Sequence, residues 1–302
     1  MIAREAKMAG LIDILGATDS RNTSGDTVKK LDIWAHEVIF KALDHGGHLC
    51  CMASEEAEDV IPIPDKFPTG KYVLLYDPLD GSSNIDANVS IGTIWSIHRK
   101  ISDHPRGCEE DCVQPGRKQV AAGYILYGSA TMLVYTTGHG VNGFTLDPSI
   151  GTFCLSHADM KTPETGKIYS TNEGNYMRWS EGQRRFVDHL KGVDGKNKQP
   201  FSARYIGSLV GDFHRTLLYG GIFMYPGDNK NPRGKLRVLY EAAPLGFIAE
   251  QAGGRAIDGE CDVLDYVPRS LHDRTPLYVG SKEYVDLAEE FLKADKPAAA
   301  AR

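Results

Sequence analysis

Met8, Leu11, Ile12 and Leu15 recur at helical spacing, and Gly16 is placed to end that helix. After a polar loop over 20–25, Val28, Leu31, Ala35, Val38, Ile39, Ala42 and Leu43 mark one face of a longer helix that stops at Gly46-Gly47. Asp32 falls inside this apolar arc. An unpaired buried carboxylate is costly, so Asp32 is expected to meet Lys29, Lys30 or a metal. The period then shortens. A strand over 49–53 delivers Ser54-Glu55-Glu56, and Tyr72-Val73-Leu74-Leu75-Tyr76 reads as a buried strand. Alternation over 89–98, then 121–127, 131–136, 143–146 and 151–155, with short loops between, predicts an antiparallel meander. Beyond the polar stretch 159–166 the pattern alternates helix and strand. Strands are expected over 167–170, 221–225, 255–257 and 277–279, and helices over 184–190, 209–219, 245–252 and 283–293. The expectation is a layered α/β chain in two parts, residues 1–160 and 161–302.

The chain has 302 residues, 41% of them hydrophobic, which suffices for a substantial core. Its net charge of -6 argues against a protein built to hold nucleic acid or an anionic membrane, leaving a local basic pocket for a small anion open. No apolar run approaches the roughly 20 residues of a membrane helix. Six cysteines in a chain this long do not make a disulfide framework, so a cytoplasmic location is expected. Cys108 and Cys112 share a charged loop and could close reversibly, although their acidic neighbours slow thiol exchange. Gly138-His139-Gly140-Val141-Asn142-Gly143 matches a dinucleotide fingerprint in letters only. A strand follows it where a helix is needed, so it reads as a hairpin loop.

The candidate chemistry sits where the buried strand ends, at Asp77-Pro78-Leu79-Asp80-Gly81-Ser82-Ser83-Asn84-Ile85-Asp86. Two carboxylates with a backbone carbonyl between them offer hard oxygens to Mg²⁺, and the Gly-Ser-Ser turn can aim amide N–H groups at an anion. A calcium loop of the EF-hand type fails, because Asn88 stands where that loop needs its Glu. An ordinary surface turn remains the bland alternative. Farther on, Asn172, Arg204, Tyr205, Tyr225, Lys235, Arg237 and Glu241 are residue types suited to holding a phosphorylated sugar.

From about Met8 to Lys293 the chain resembles the class I fructose-1,6-bisphosphatases, within the Mg²⁺-dependent sugar and inositol phosphatases. The resemblance rests on the decapeptide together with Gly25-Asp26-Thr27-Val28-Lys29-Lys30-Leu31-Asp32, Asn172-Glu173-Gly174-Asn175-Tyr176, Gly220-Gly221-Ile222-Phe223-Met224-Tyr225-Pro226 and Gly234-Lys235-Leu236-Arg237-Val238-Leu239-Tyr240-Glu241. It implies stacked α-β-α-β-α layers with mixed sheets, and Mg²⁺-dependent hydrolysis of the 1-phosphate of fructose 1,6-bisphosphate in gluconeogenesis. Glu55, Asp77, Asp80, Glu241 and the Leu79 carbonyl would hold about two to three Mg²⁺ ions. Asp32 and Glu56 would orient and deprotonate the attacking water, joined by Asp26. Gly81, Ser82 and Ser83 would hold the 1-phosphate, and Asn172, Tyr205, Tyr225 and Lys235 the 6-phosphate or sugar, with Asp80, Phe223, Met224 and Glu241 also lining the substrate. Arg204 would reach in from a neighbouring subunit of a homotetramer.

Two departures from the family pattern matter. An extra Asn175 precedes Tyr176, and Tyr176 is expected to be the one that meets the 6-phosphate. Lys71, Tyr72 and Arg99 match half of an AMP-inhibitor site whose other half most members carry on additional N-terminal helix, so the expectation is either loss of tight AMP inhibition or a truncated chain. Alternatives to the main reading are dual action on sedoheptulose 1,7-bisphosphate, an inositol-phosphate or nucleotide phosphatase, and a catalytically silent sugar-phosphate binder.

Overall fold

The computed structural model describes residues 1–8 and 30–295 with their side chains, and the backbone alone of 17–21 and 27–29. Asp26, and the helix expected beyond Met8, lie outside the described residues. Helix α1 spans Ile2–Met8, and the apolar spacing was expected to begin a helix at Met8. Strands β1 (Ala17–Arg21) and β2 (Thr27–Lys29) pair antiparallel, so the segment around Val28 is strand and helix α2 (Lys30–Leu43) starts two residues later than its apolar face. Adjacent β-branched Thr27 and Val28 favour that earlier strand.

Next along the chain come β3 (Leu49–Ser54), β4 (Ile61–Pro62), β5 (Tyr72–Asp80), β6 (Ile91–Arg99), a short helix α3 (Glu109–Cys112), β7 (Gln119–Tyr127), β8 (Thr131–Thr136), β9 (Val141–Asp147) and β10 (Thr152–His157). The strands form one eight-stranded sheet in the order β10-β9-β8-β7-β6-β5-β3-β4. All its pairs are antiparallel except β3 with β5. β5 is buried on both faces, which is why it reads as a continuous apolar run. Leu74 and Tyr76 pack toward Ile39 and Phe40 of α2, while Val73 and Leu75 pack toward Leu239 and Tyr240.

The second part contributes β11 (Ile168–Ser170), α4 (Glu181–Leu190), β12 (Ser202–Ala203), α5 (Leu209–Tyr219), β13 (Ile222–Tyr225), β14 (Leu236–Arg237), α6 (Ala243–Gln251), β15 (Arg255–Ile257), β16 (Arg274–Thr275), β17 (Leu277–Gly280) and α7 (Lys282–Lys293). Five of these strands make a mixed sheet in the order β12-β11-β13-β17-β15. Phe186 and Val187 of α4 and Val285 and Ala288 of α7 cover one face of it. On the other face, α5 and α6 are shared between the sheets: Val210, Phe213, Leu245 and Ile248 join Ile94 and Tyr124 of the first sheet to Phe223 and Val279 of the second. The layers therefore run α1/α2, large sheet, α5/α6, small sheet, α4/α7, as the expected α-β-α-β-α stack.

Neither β14 nor the single π turn Val238–Ala242 was expected from the sequence pattern. Around α3, Cys108 and Cys112 take different partners. The Cys108 thiol faces Asp111 Oδ2 at 3.6 Å, whereas Cys112 is fully buried with its Sγ 3.8 Å from that of Cys51. No helix among the described residues is long and apolar enough to cross a membrane.

Candidate active site

Two carboxylates three positions apart on a regular strand point to opposite faces. Here the β5–β6 register shifts between Asp77 and Asp80, at Pro78, which has no N–H for the ladder. Pro78 instead accepts the Thr93 hydroxyl at 2.8 Å, and the Leu79 N–H turns back to Asp77 Oδ1 at 2.9 Å. The irregularity brings both carboxylates to one side. There they meet Glu241 from the π turn, with one oxygen from each of the three lying within 4.8 Å of the others. Glu241 Oε2 is aimed by the Arg237 N–H across that turn at 2.5 Å. A π turn inserts a residue into the helical path and so re-aims the side chain it carries.

All three carboxylates are buried. Burial raises the pKa of Asp77 well above the usual carboxylate range, and Glu55, Asp80, Glu241 and Asp32 raise it further. Burial lifts Asp80 to about 7 against the pull of the Val210 N–H, which it accepts at 2.7 Å. Glu241 is raised by burial, then by Glu55 and Asp80. Hard oxygen donors confined in an enclosed site, where burial and like charge disfavour ionisation until a cation compensates it, fit a divalent cation such as Mg²⁺. Glu55 follows β3, its N–H donating to Tyr76 O at 3.1 Å and its Oε1 lying 3.7 Å from Arg237 Nε. Glu56 is next on the same turn, held by its N–H to Ser54 Oγ at 3.3 Å. Asp32 is only 2% exposed. Leu79 is buried between the two strand carboxylates.

Gly81 opens the adjoining 3-10 turn Ser82–Ala87 at a φ of 79°, a left-handed conformation suited to glycine. That turn is tied to the start of α5, because Asn84 Nδ2 donates to Gly207 O at 2.8 Å and Ser208 caps the helix. The Gly81-Ser82-Ser83 turn, Asp80 and the start of α5 therefore meet in one corner.

A separate cleft is lined by Thr171, Asn172, Asn175, Trp179, Met224, Tyr225, Pro226, Asp228, Asn231 and Lys235. It contains expected residues Asn172, Met224, Tyr225 and Lys235. Two other expected residues are not on its lining. Tyr176 turns away from the cleft, its hydroxyl donating to Asp188 at 2.6 Å and its ring tilted against Trp179, while Asn175 takes the place on the lining. Phe223 points into the core between the sheets, since alternation along β13 sends it to the face opposite Met224. Tyr205, 39% exposed, bridges the two regions: burial raises its pKa to about 12, helped by Tyr225, Asp212 and Asp80. Arg204 is exposed and is not among the residues lining the cleft of its own chain. The sequence pattern missed Asn175, Asp228 and Asn231 because their letters mark ordinary turns, and the Val210 amide because no side chain announces it. The Ser208 cap four positions before Asp212 was the available signal for the latter.

The layered fold and its buried carboxylate trio beside a glycine-led turn define a phosphatase of the sugar-phosphatase fold. Family models described as "Fructose-1-6-bisphosphatase, N-terminal domain" and "Fructose-1-6-bisphosphatase, C-terminal domain" match residues 1–158 and 162–293. The chain belongs to the class 1 fructose-1,6-bisphosphatase family. It is 59% identical over 293 residues to a class 1 fructose-1,6-bisphosphatase of Chloroherpeton thalassium, covering 96% of this chain and 83% of the relative. A relative of the same description from Chlorobium luteolum is 56% identical over 292 residues, covering 96% and 87%. The crystal structure of holo Leishmania major fructose-1,6-bisphosphatase superposes with a TM-score of 0.92 at 46% identity, covering 97% of this chain and 90% of that one.

Proposed function

We propose that the fructose-1,6-bisphosphatase activity carried by family membership runs on the buried carboxylates at the end of β5, with Mg²⁺ held by Glu55, Asp77, Asp80, Glu241 and the Leu79 carbonyl. The observation that carries this is the convergence of Asp77, Asp80 and Glu241 within 4.8 Å in a buried site. When bound, about two to three Mg²⁺ ions supply charge neutralisation for the phosphate and lower the pKa of water. Asp32 and Glu56 orient the attacking water and accept its proton, with Asp26 as a third acidic group. The backbone N–H groups of Gly81, Ser82 and Ser83 hold the 1-phosphate. Water oxygen bonds to phosphorus as the bond to the sugar oxygen breaks, and that oxygen takes up the proton the water gave up, leaving as a hydroxyl of fructose 6-phosphate.

Asn172, Asn175, Met224, Tyr225 and Lys235 hold the 6-phosphate end, with Tyr205 between the two ends. Binding energy collected there, remote from the bond broken, is available to lower the barrier. Residues 1–160 then act as the metal-site part and 161–302 as the sugar-phosphate part. The working state is a cytoplasmic homotetramer in gluconeogenesis, each cleft completed by Arg204 of a neighbouring subunit. The exposure of Arg204 and its separation from its own cleft support that reading.

The test is phosphate release from fructose 1,6-bisphosphate, sedoheptulose 1,7-bisphosphate and inositol 1-phosphate, each with Mg²⁺ or chelator. Chelator-sensitive release from the fructose ester is expected. Equal turnover of the sedoheptulose ester makes the enzyme dual, and no release from either bisphosphate transfers the weight to a silent binder. Light scattering and mixing of Arg204→Ala subunits with Asp77→Asn subunits test the tetramer, since a shared site predicts partial recovery.

A further inference from the structure

Helix α2 carries Asp32 and, one turn on, His36, neighbours on the helix side that packs against β5. His36 Nδ1 lies 3.0 Å from Ser54 Oγ and 3.2 Å from the Tyr76 hydroxyl. Its ring stacks on Tyr76 with centroids 5.7 Å apart and planes inclined by 24°. Two hydroxyl groups converge on one ring nitrogen, so Nδ1 ties Ser54 and Tyr76 to α2 in either tautomer. Burial lowers the pKa of His36, outweighing the opposing effect of Glu37.

The two residues His36 contacts also hold the turn that carries Glu55 and Glu56. Ser54 and Tyr76 face each other across the parallel β3–β5 ladder, and both are fully buried. The Ser54 hydroxyl that meets His36 also accepts the Glu56 N–H at 3.3 Å. The Ser54 carbonyl takes the Ala57 N–H at 3.2 Å, and the Tyr76 carbonyl takes the Glu55 N–H at 3.1 Å.

We infer that His36 is a positioning residue for the hydrolysis: it locks α2, and with it Asp32, to the turn bearing Glu55 and Glu56, and so fixes the spacing of the carboxylates around the attacking water. The inference rests on the reading above that Asp32 and Glu56 serve that water. His36 acts through Ser54 and not through the substrate, so its loss is expected in kcat and in metal affinity and not in KM.

Three single variants and one double variant test it. His36→Phe keeps the stacking on Tyr76 and removes Nδ1, His36→Asn returns an acceptor close to where Nδ1 stood, and Ser54→Ala removes the linking hydroxyl. His36→Phe is expected to lower kcat about tenfold and to weaken Mn²⁺ binding in calorimetry by a similar factor, with KM within about twofold. His36→Asn should recover most of both. The His36→Phe/Ser54→Ala double variant should cost no more than the worse single one, because both break one link. Wild-type kcat and Mn²⁺ affinity in His36→Phe would overturn the inference, as would additive losses in the double variant. If His36→Phe does not melt cooperatively, Ser54→Ala and His36→Asn decide: unchanged kcat and Mn²⁺ affinity in Ser54→Ala overturns it, and loss there with retention in His36→Asn upholds it. An inactive wild-type enzyme would instead refute the functional reading itself, before any variant is compared.

Discussion

Asp77 shows a residue paying in stability for what it does chemically. Its burial and its acidic neighbours Glu55, Asp80, Glu241 and Asp32 all disfavour its charged form. Asparagine at this position keeps the oxygen that accepts the Leu79 N–H and removes the charge. Asp77→Asn is therefore expected to abolish phosphate release while raising the stability of the chelator-treated protein at pH 8 by about 1 kcal/mol, read from urea unfolding. A fully active variant would sink the assignment of the site. Lys235 is the contrasting case, an exposed cation at the cleft, reached through Gly234 at a φ of 72° where an added Cβ would stand 2.4 Å from Pro276 N. The loss of one charge-assisted contact to a phosphate is worth about 1.5–3 kcal/mol. Lys235→Ala should accordingly lower kcat/KM for fructose 1,6-bisphosphate by about 10- to 100-fold with Mg²⁺ affinity unchanged, measured by steady-state kinetics and calorimetry.

At the scale of elements, the site depends on how closely α5 approaches β6. An added Cβ at Gly92 would meet Val210 Cγ1 at 2.5 Å and Ile125 O at 2.6 Å, and the neighbouring Val210 N–H is the donor that holds Asp80. Gly92→Ala must push α5 outward or distort β6. It is expected to destabilise the protein by about 1–3 kcal/mol and to lower kcat, with unfolding curves and phosphate release as the measurements. Helix 209–219 and strand 255–257 were legible in the sequence to the residue, because α5 opens with a serine cap and ends at Gly220, and β15 is a short stretch between Gly254 and Asp258-Gly259. The meander was legible for the same reason: alternation and short loops are local signals. The start of α2 was misjudged because Val28 continues the helical spacing while the backbone there is strand. The π turn left no pattern, since one extra residue in a buried apolar run changes neither composition nor period enough to notice. Asp77 and Asp80 stood out because they are neighbours in sequence and flank a proline. Their meeting with Glu241 was accessible only through family resemblance, because nothing local records a contact between segments so far apart.

The whole molecule assembles its site where layers meet. Asp77 and Asp80 come from the large sheet, Glu241 and the Val210 amide from the helical layer, and Met224, Tyr225 and the cleft from the small sheet and its loops. Concentrating buried carboxylates at that junction ties global stability to pH and to metal, with a definite sign. Asp80 has a folded-state pKa of about 7 against an ordinary 3.8, so without metal its contribution is fully present below about pH 4 and is lost as pH rises through 7. Asp77 and Glu241, also raised by burial, act in the same direction. Two buried histidines oppose this. Burial lowers His98 and His214 from 6.5 to about 4, so their contribution is full above pH 6.5 and is lost as pH falls through 4. In chelator the two trends offset one another between pH 4 and 7. With Mg²⁺ the carboxylate cost is removed and only the histidine trend remains, so stability should rise over that interval. The expected result is a Mg²⁺-induced gain in Tm that is small at pH 5, grows through pH 7 and levels off by about pH 8.5, followed by thermal unfolding in Mg²⁺ and in chelator across that range. Asp80→Asn should flatten the growth of the gain, and His98→Gln should weaken the acid-side loss in both conditions. An equal Mg²⁺ gain at pH 5 and pH 8 would mean that the cluster does not hold the ion.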